Sequence, residues 1–205
     1  PYYGLSPHRS VVLNHLKILG KLIHDRIDFL IVPKGALFRR VIARSIFEQH
    51  VFKLMTGDLI ERDDLIQRLV NLGYERSSVV EEPAQFAVRG DVVDIFSPYH
   101  DQPLRVSLLD IEIENIRWFD PVTQRTTDPV ASVLVVPAHE ILFDVIDNTR
   151  WQSDLKRRAD KRNITKDKRN RIEELVQNKI YFHGVEFFLP LFYQTTSTLF
   201  DYLKK

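Results

Sequence analysis

The chain has 205 residues, with 29 Lys and Arg against 28 Asp and Glu, and no cysteine. That length is ample for a buried core in one large or two small domains. The near balance of charge excludes a global polyelectrolyte signal for nucleic acid or an anionic membrane, and the lack of cysteine excludes disulfides and thiolate metal sites, as suits a reducing cytoplasm.

No apolar run approaches the length of a membrane span, and no signal-peptide pattern opens the chain. The first residue is Pro1 rather than methionine, as expected of a piece of something longer. PYYGLSPHRS is a turn-rich lead-in, and Ser10 is placed to cap a helix over residues 11–24. Val12, Leu16, Leu19, Leu22 and Ile23 recur there at helical spacing. Residues 28–33, DFLIVP, are a short apolar run bounded by turn residues, the pattern of a buried strand ended by proline. A helix is expected over 36–47. This succession suggests a piece of an open α/β sheet.

Residues 50–55 read as a strand, and Thr56, Gly57 and Asp58 as a turn. Residues 62–73 form a short amphipathic helix, with Leu65, Leu69 and Leu72 as its apolar stripe and Gly73 as its C-cap. Strands then dominate from 75 to 137. In FAVRGDVVDIFSP (86–98), Phe86 and Val88 alternate with Ala87 and Arg89, the signature of a half-buried strand. Gly90 interrupts the run at a bulge or change of direction. The next strand, 104–110, turns Leu104, Val106 and Leu108 inward and Arg105, Ser107 and Leu109 outward. Leu109 is the odd residue, apolar on a face that should be wet. Single exposed leucines are common. An arginine beside one is nevertheless the usual chemistry of a binding hot spot, because a guanidinium gives directed hydrogen bonds and a leucine gives burial. Strands at 111–119 and 132–136 complete a compact α+β unit with an antiparallel meander, bounded near Gln49 and Pro137.

Residues 141–159 are expected to be helical. A basic cluster, KRRADKRNITKDKRNR, spans 156–171 and holds nine Lys or Arg against Asp160 and Asp167, with a break at 163–165. Lys156, Arg157, Arg158, Lys161, Arg162, Lys168 and Arg169 are its candidate DNA contacts, since a basic face can track phosphates. Without interleaved aromatics or glycine, a solvated helix surface is the favoured reading. GVEFFLPLF (184–192) is aromatic-rich and should end a helix against another surface.

No Gly-Lys-Ser/Thr phosphate loop occurs. The seven histidines are scattered, with no pair at metal-binding spacing, and no nucleophile elbow is present. Asp91, Asp94, Asp110 and Glu112 are the best carboxylate group for a Mg²⁺-dependent nuclease. Turn hydrogen bonds and cross-strand pairing with Arg89, Arg105 or Arg117 explain them better. No enzyme signal and no metal site emerge from the residues.

The ordered set GDLIERDDLIQRLVNLGYER (57–76), FAVRGDVVDIFSP and LRVSLLDIEIENIRWFDPVTQRT (104–126) resembles the excision-repair helicase UvrB and the UvrB-homology module of the transcription-repair coupling factor (Mfd) family. PYYGLSPH, LVVPAHE (134–140), GVEFFLPLFY and TLFDYL look like the coupling-factor branch. The resemblance implies a non-catalytic fragment of a cytoplasmic, bacterial, multidomain ATP-dependent translocase. Residues 49–137 would be a docking domain for the damage-recognition protein UvrA, inserted in a partial UvrB-like α/β domain formed by 1–48 and 138–205. It further implies that Arg89, Arg105 and Leu109 contact UvrA, with leucine standing where the family often has phenylalanine. A C-terminal domain of the parent would mask this surface, RNA polymerase and DNA would bind through other domains, and ATP and Mg would belong elsewhere, leaving no cofactor in this fragment. The alternative is a DNA-binding fragment of a UvrB-type helicase.

Overall fold

The computed structural model describes residues 8–203 except Arg26 and Arg162, with Asn148 and Thr149 described by backbone alone. The first helix, α1 (Arg9–His24), buries Val12, Leu13, Leu16 and Leu19 along one face. Its N-cap is His8, whose ring accepts from the Ser10 amide, so Ser10 lies one step inside the helix it was expected to cap. Then come α2 (Lys34–Leu37), β1 (Val41–Ile42), α3 (Arg44–His50) and β2 (Phe52–Met55). Helix α4 (Arg62–Asn71) buries Leu65 and Leu69. Gly73 follows at φ +84°, and a Cβ there would lie 2.7 Å from both the His139 ring and the Tyr181 hydroxyl. Only glycine suits that helix end.

The centre is a six-stranded sheet in chain order: β3 (Glu75–Arg76), β4 (Gln85–Arg89), β5 (Val92–Ile95), β6 (Leu104–Leu109), β7 (Glu112–Phe119) and β8 (Thr126–Pro129). β3 pairs parallel with β4, and the remaining pairs are antiparallel, giving the meander. β9 (Ser132–Val135) returns to pair with β2. A 3₁₀ turn at Phe143–Val145 leads to α5 (Asn148–Lys161) and α6 (Lys166–Gln177). The chain closes through a second 3₁₀ turn (Val185–Phe188), α7 (Leu189–Phe192), β10 (Thr196–Ser197), which pairs with β1, and α8 (Leu199–Leu203). One apolar core runs from α1 through the inner face of the sheet to Trp151, Phe192 and Tyr202.

Residues 28–33 form no strand: Leu30 and Val32 pack against the core, but Phe29 and Ile31 are 91% and 97% exposed. A strand needs a ladder partner, and among the described residues none lies alongside. The single helix expected over 36–47 is broken, because β-branched Val41 and Ile42 are buried and pair with β10. The helix expected from 141 begins only at Asn148; Ile141, Leu142, Phe143 and Ile146 are buried, a pattern with no face to read. Residues 184–192 begin a helical segment rather than end one, with Gly184 at φ +86°. Among the described residues no helix is long and apolar enough to cross a membrane.

Candidate protein-docking face

Two tight hairpins set the geometry. Gly90 and Asp91 connect β4 to β5, with Gly90 at φ +60°, a positive value that suits a two-residue hairpin turn. Asp110 and Ile111 connect β6 to β7, with Asp110 at φ +58°. In a meander these turns lie at the same end of the sheet. Cross-strand register then fixes which side chains share a face: Arg89 opposes Val92, which opposes Ser107, while Ala87, Asp94, Arg105 and Arg117 stand in one row across four strands. Side chains alternate along β6, so Arg105, Ser107 and Leu109 face the same way as that row. Leu109 is 66% exposed and its neighbour Leu108 is buried in the core.

The two arginines converge on one carboxylate. Asp94 is 1% exposed and accepts from Arg105 Nε at 2.7 Å and Nη2 at 2.9 Å, a bidentate pair, and from Arg89 Nη2 at 2.5 Å. Hydrogen bonding to Asp94 raises the Arg105 guanidinium above its already high pKa, so its charge is permanent. The Arg105 guanidinium also lies 4.8 Å from the Phe119 ring centroid, within cation–π range. Arg105 Nη1 also donates to the Gln124 carbonyl at 3.4 Å, so the fork is fixed in direction and held largely within the protein. The side chain of Arg89 is 49% exposed and that of Arg105 is 20% exposed.

The face is wet only at the hairpin end. Towards the other end, Val80, Ala87, Phe96 and Phe119 form a second small apolar cluster, and the Gln124 amide donates to the Val80 carbonyl at 3.1 Å. The 77–84 segment thus covers one end of the face and leaves Arg89 and Leu109 open, with Arg105 largely buried. Arg117 is exposed directly opposite Arg105, adding positive charge where the sequence suggested only a partner for a carboxylate. The sequence had offered Asp94 as a cross-strand partner of these arginines, but without its burial or its hold on both at once. Both carboxylate oxygens of Asp94 are engaged by arginine, and among the described residues no group of three His, Asp or Glu side chains is arranged to hold a metal.

The basic cluster lies elsewhere. Lys156, Arg157, Arg158 and Lys161 are exposed on α5, and Lys168 on α6. Arg157 pairs with Asp154 at 2.6 Å and half-buried Arg169 with Glu173 at 3.4 Å, both within their own helices. Arg162 lies outside the described residues. The expected break is present between α5 and α6, with Asn163 at φ +52°.

The meander, its buried carboxylate and the exposed leucine on the same face belong to an α+β domain. Residues 52–141 match the UvrB interaction domain family. Over its full length the chain is homologous to transcription-repair-coupling factors. It is 34% identical to that of Myxococcus xanthus over 100% of this chain, and 32% identical to that of Staphylococcus haemolyticus over 96%. The factor of Escherichia coli (strain K12) is 29% identical over 98% of the chain. The chain spans only 17–18% of the length of these relatives.

Proposed function

We propose that this chain is a non-catalytic docking module of a transcription-repair coupling factor, recruiting UvrA to excision repair at stalled RNA polymerase. Arg89, Arg105 and Leu109 form the contact. One observation carries the reading: two arginines held by a buried carboxylate share a sheet face with an exposed leucine, within the stretch that matches the UvrB interaction domain. Pre-organised guanidiniums lose little further freedom on binding a carboxylate, and the leucine supplies apolar area. The partner surface is therefore acidic around an apolar pocket. In the longer cytoplasmic protein, a C-terminal domain masks this face, while RNA polymerase, DNA, ATP and Mg belong to other parts, and this segment uses no cofactor.

The test is the affinity of the chain for purified UvrA at two salt concentrations, repeated with Leu109→Ala and Arg105→Ala. Binding that weakens in both variants, more with Arg105→Ala than with Leu109→Ala and with folding intact by circular dichroism, supports the docking reading. A wild-type chain that does not bind UvrA ends it.

A further inference from the structure

We infer that the docking face is wider than the Arg89, Arg105 and Leu109 group and extends across the hairpin to Leu59, so that the partner's apolar groove holds two leucines rather than one. The inference rests on the UvrA-docking reading above and deepens it. The stretch 57–60 lies against the β6–β7 turn as a short extra strand. The Gly57 amide donates to the Ile113 carbonyl at 2.8 Å, the Ile113 amide to the Asp58 carbonyl at 2.9 Å, and the Ile60 amide to the Ile111 carbonyl at 2.7 Å. Leu59 therefore stands directly opposite Glu112, and Glu112 directly opposite Leu109. Residues opposed in a ladder point to one face. Leu109, Glu112 and Leu59 thus form one in-register row, with the two leucines about 10 Å apart across two interstrand spacings.

Burial agrees with the register. Leu59 is 70% and Leu109 66% exposed, while Ile60, Leu108 and Ile113, on the alternate positions, pack into the core. A lone exposed leucine needs no explanation, but two on one row, continuous with a positively charged face, make a strip of the kind that marks an interface. Leu59 also lies on an edge, where isolated sheets favour charge over leucine. The charge pattern specifies the occupant. Arg89, Arg105 and Arg117 on one side call for carboxylates, and Glu112 between the leucines calls for a cation, because an unpaired carboxylate covered by a partner is costly. The partner is the same acidic, apolar surface that takes Leu109, extended by a Lys or Arg and a second apolar recess.

The experiment measures binding of the 205-residue chain to purified UvrA for wild type, Leu59→Ser, Leu109→Ser, Glu112→Lys and the control Val122→Ser. Val122 is 88% exposed in the loop at the opposite end of β7. Leu59→Ser leaves the backbone bonds of 57–60 in place, and unchanged melting confirms that it folds. Affinity should fall about 10-fold with Leu59→Ser and at least as far with Leu109→Ser and Glu112→Lys, with no change in the control. If Leu109→Ser weakens binding and Leu59→Ser does not, the extension is overturned while the docking reading stands. A wild-type chain without affinity for UvrA removes both. A homodimer that Leu59→Ser dissolves at unchanged UvrA affinity would also overturn the inference, by assigning Leu59 to a second copy.

Discussion

Two regions of this molecule are rich in arginine, and they are built in opposite ways. On the sheet face, Arg89 and Arg105 are anchored to Asp94, which is 1% exposed and positioned by a strand in the middle of the meander. On α5 and α6, the cations stand in solvent or pair along their own helix with Asp154 and Glu173, whose side chains are 19% and 27% exposed. Intrahelical pairs of that kind contribute only about 0.3–0.5 kcal/mol and leave the side chains free to move. Burying a carboxylate is costly unless it is fully hydrogen-bonded, so the Asp94 cluster has a fixed geometry. Charge density alone therefore says little about recognition. What distinguishes the sheet face is that its cations are aimed.

The comparison is broken most forcefully through the apolar side of α5. That helix earns its place in the fold by Trp151, which is 0% exposed and packs edge-on to Phe192 with ring centroids 5.5 Å apart. Trp151→Ala should cost about 3–5 kcal/mol in urea unfolding. If α5 were held by its charges instead, the loss would be small. Acid should act next. His139 is stacked on Tyr181 at 3.6 Å, and burial, helped by the charge of Arg9, lowers its pKa to about 4. The unfolded chain takes up that proton near the ordinary histidine value, about 6.5. Stability from the neutral ring is thus complete above about pH 6.5, falls as the pH drops towards 4, and levels off below. The total is on the order of 3 kcal/mol, read from the pH dependence of denaturation and removed by His139→Phe. The proposed contact group of Arg89, Asp94, Arg105 and Leu109 contains no histidine, so this chain's side of the contact should keep UvrA affinity flat between about pH 6 and 8.

On the sheet face itself, Arg105→Ala should weaken UvrA binding by about 2 kcal/mol, roughly 30-fold. It also leaves buried Asp94 with Arg89 alone, which lowers fold stability by about 1–3 kcal/mol. Asp94→Asn separates the two effects. The amide keeps the volume but not the charge, so both arginines are released and affinity drops about 10-fold with a smaller loss of stability. Leu109→Ala should cost about 1 kcal/mol of affinity and leave unfolding unchanged, because the side chain is already exposed. An Asp94→Asn variant that binds like wild type would show that the arginines need no anchor.

The meander is legible because its strands alternate cleanly and Gly90 breaks the run, whereas the turn at Asp110 and Ile111 is hidden inside what reads as strand. The same alternation places Arg105 and Leu109 on the outer face. What it hid depends on contacts distant in sequence. Ala87 reads as an outward residue, and it points outward, but Val80 closes over it. The short strands β1 and β10 lie more than 150 residues apart and have no pattern of their own. DFLIVP reads as a strand because alternation is a local signal, whereas pairing is not. Leu59 is not legible in the sequence because it follows a turn, and only register shows that it continues the row of Leu109. Its one readable signal was an apolar residue in a polar turn sequence, TGDLIERDD.

The smallest effects belong to the basic helices, and they test the comparison from its weak side. Each of Lys156, Arg157, Arg158, Lys161 and Lys168 is exposed. Replacing any one by alanine should change stability by no more than about 0.5 kcal/mol and leave UvrA affinity untouched. A five-fold alanine variant is more informative with DNA. Every phosphate neutralised by this surface contributes about 0.9 to the slope of log affinity against log salt. Cations that merely solvate a helix give weak binding whose shallow slope barely changes when they are removed. Cations that track a backbone give a steep slope that flattens by several units in the five-fold variant. The exposed, intrahelically paired arrangement leads us to expect the shallow result, in a titration of duplex DNA at about 50 and 200 mM salt. A steep slope would mean that unaimed charge suffices here, because phosphates form a continuous rail and need no single fixed guanidinium, whereas a protein pocket does.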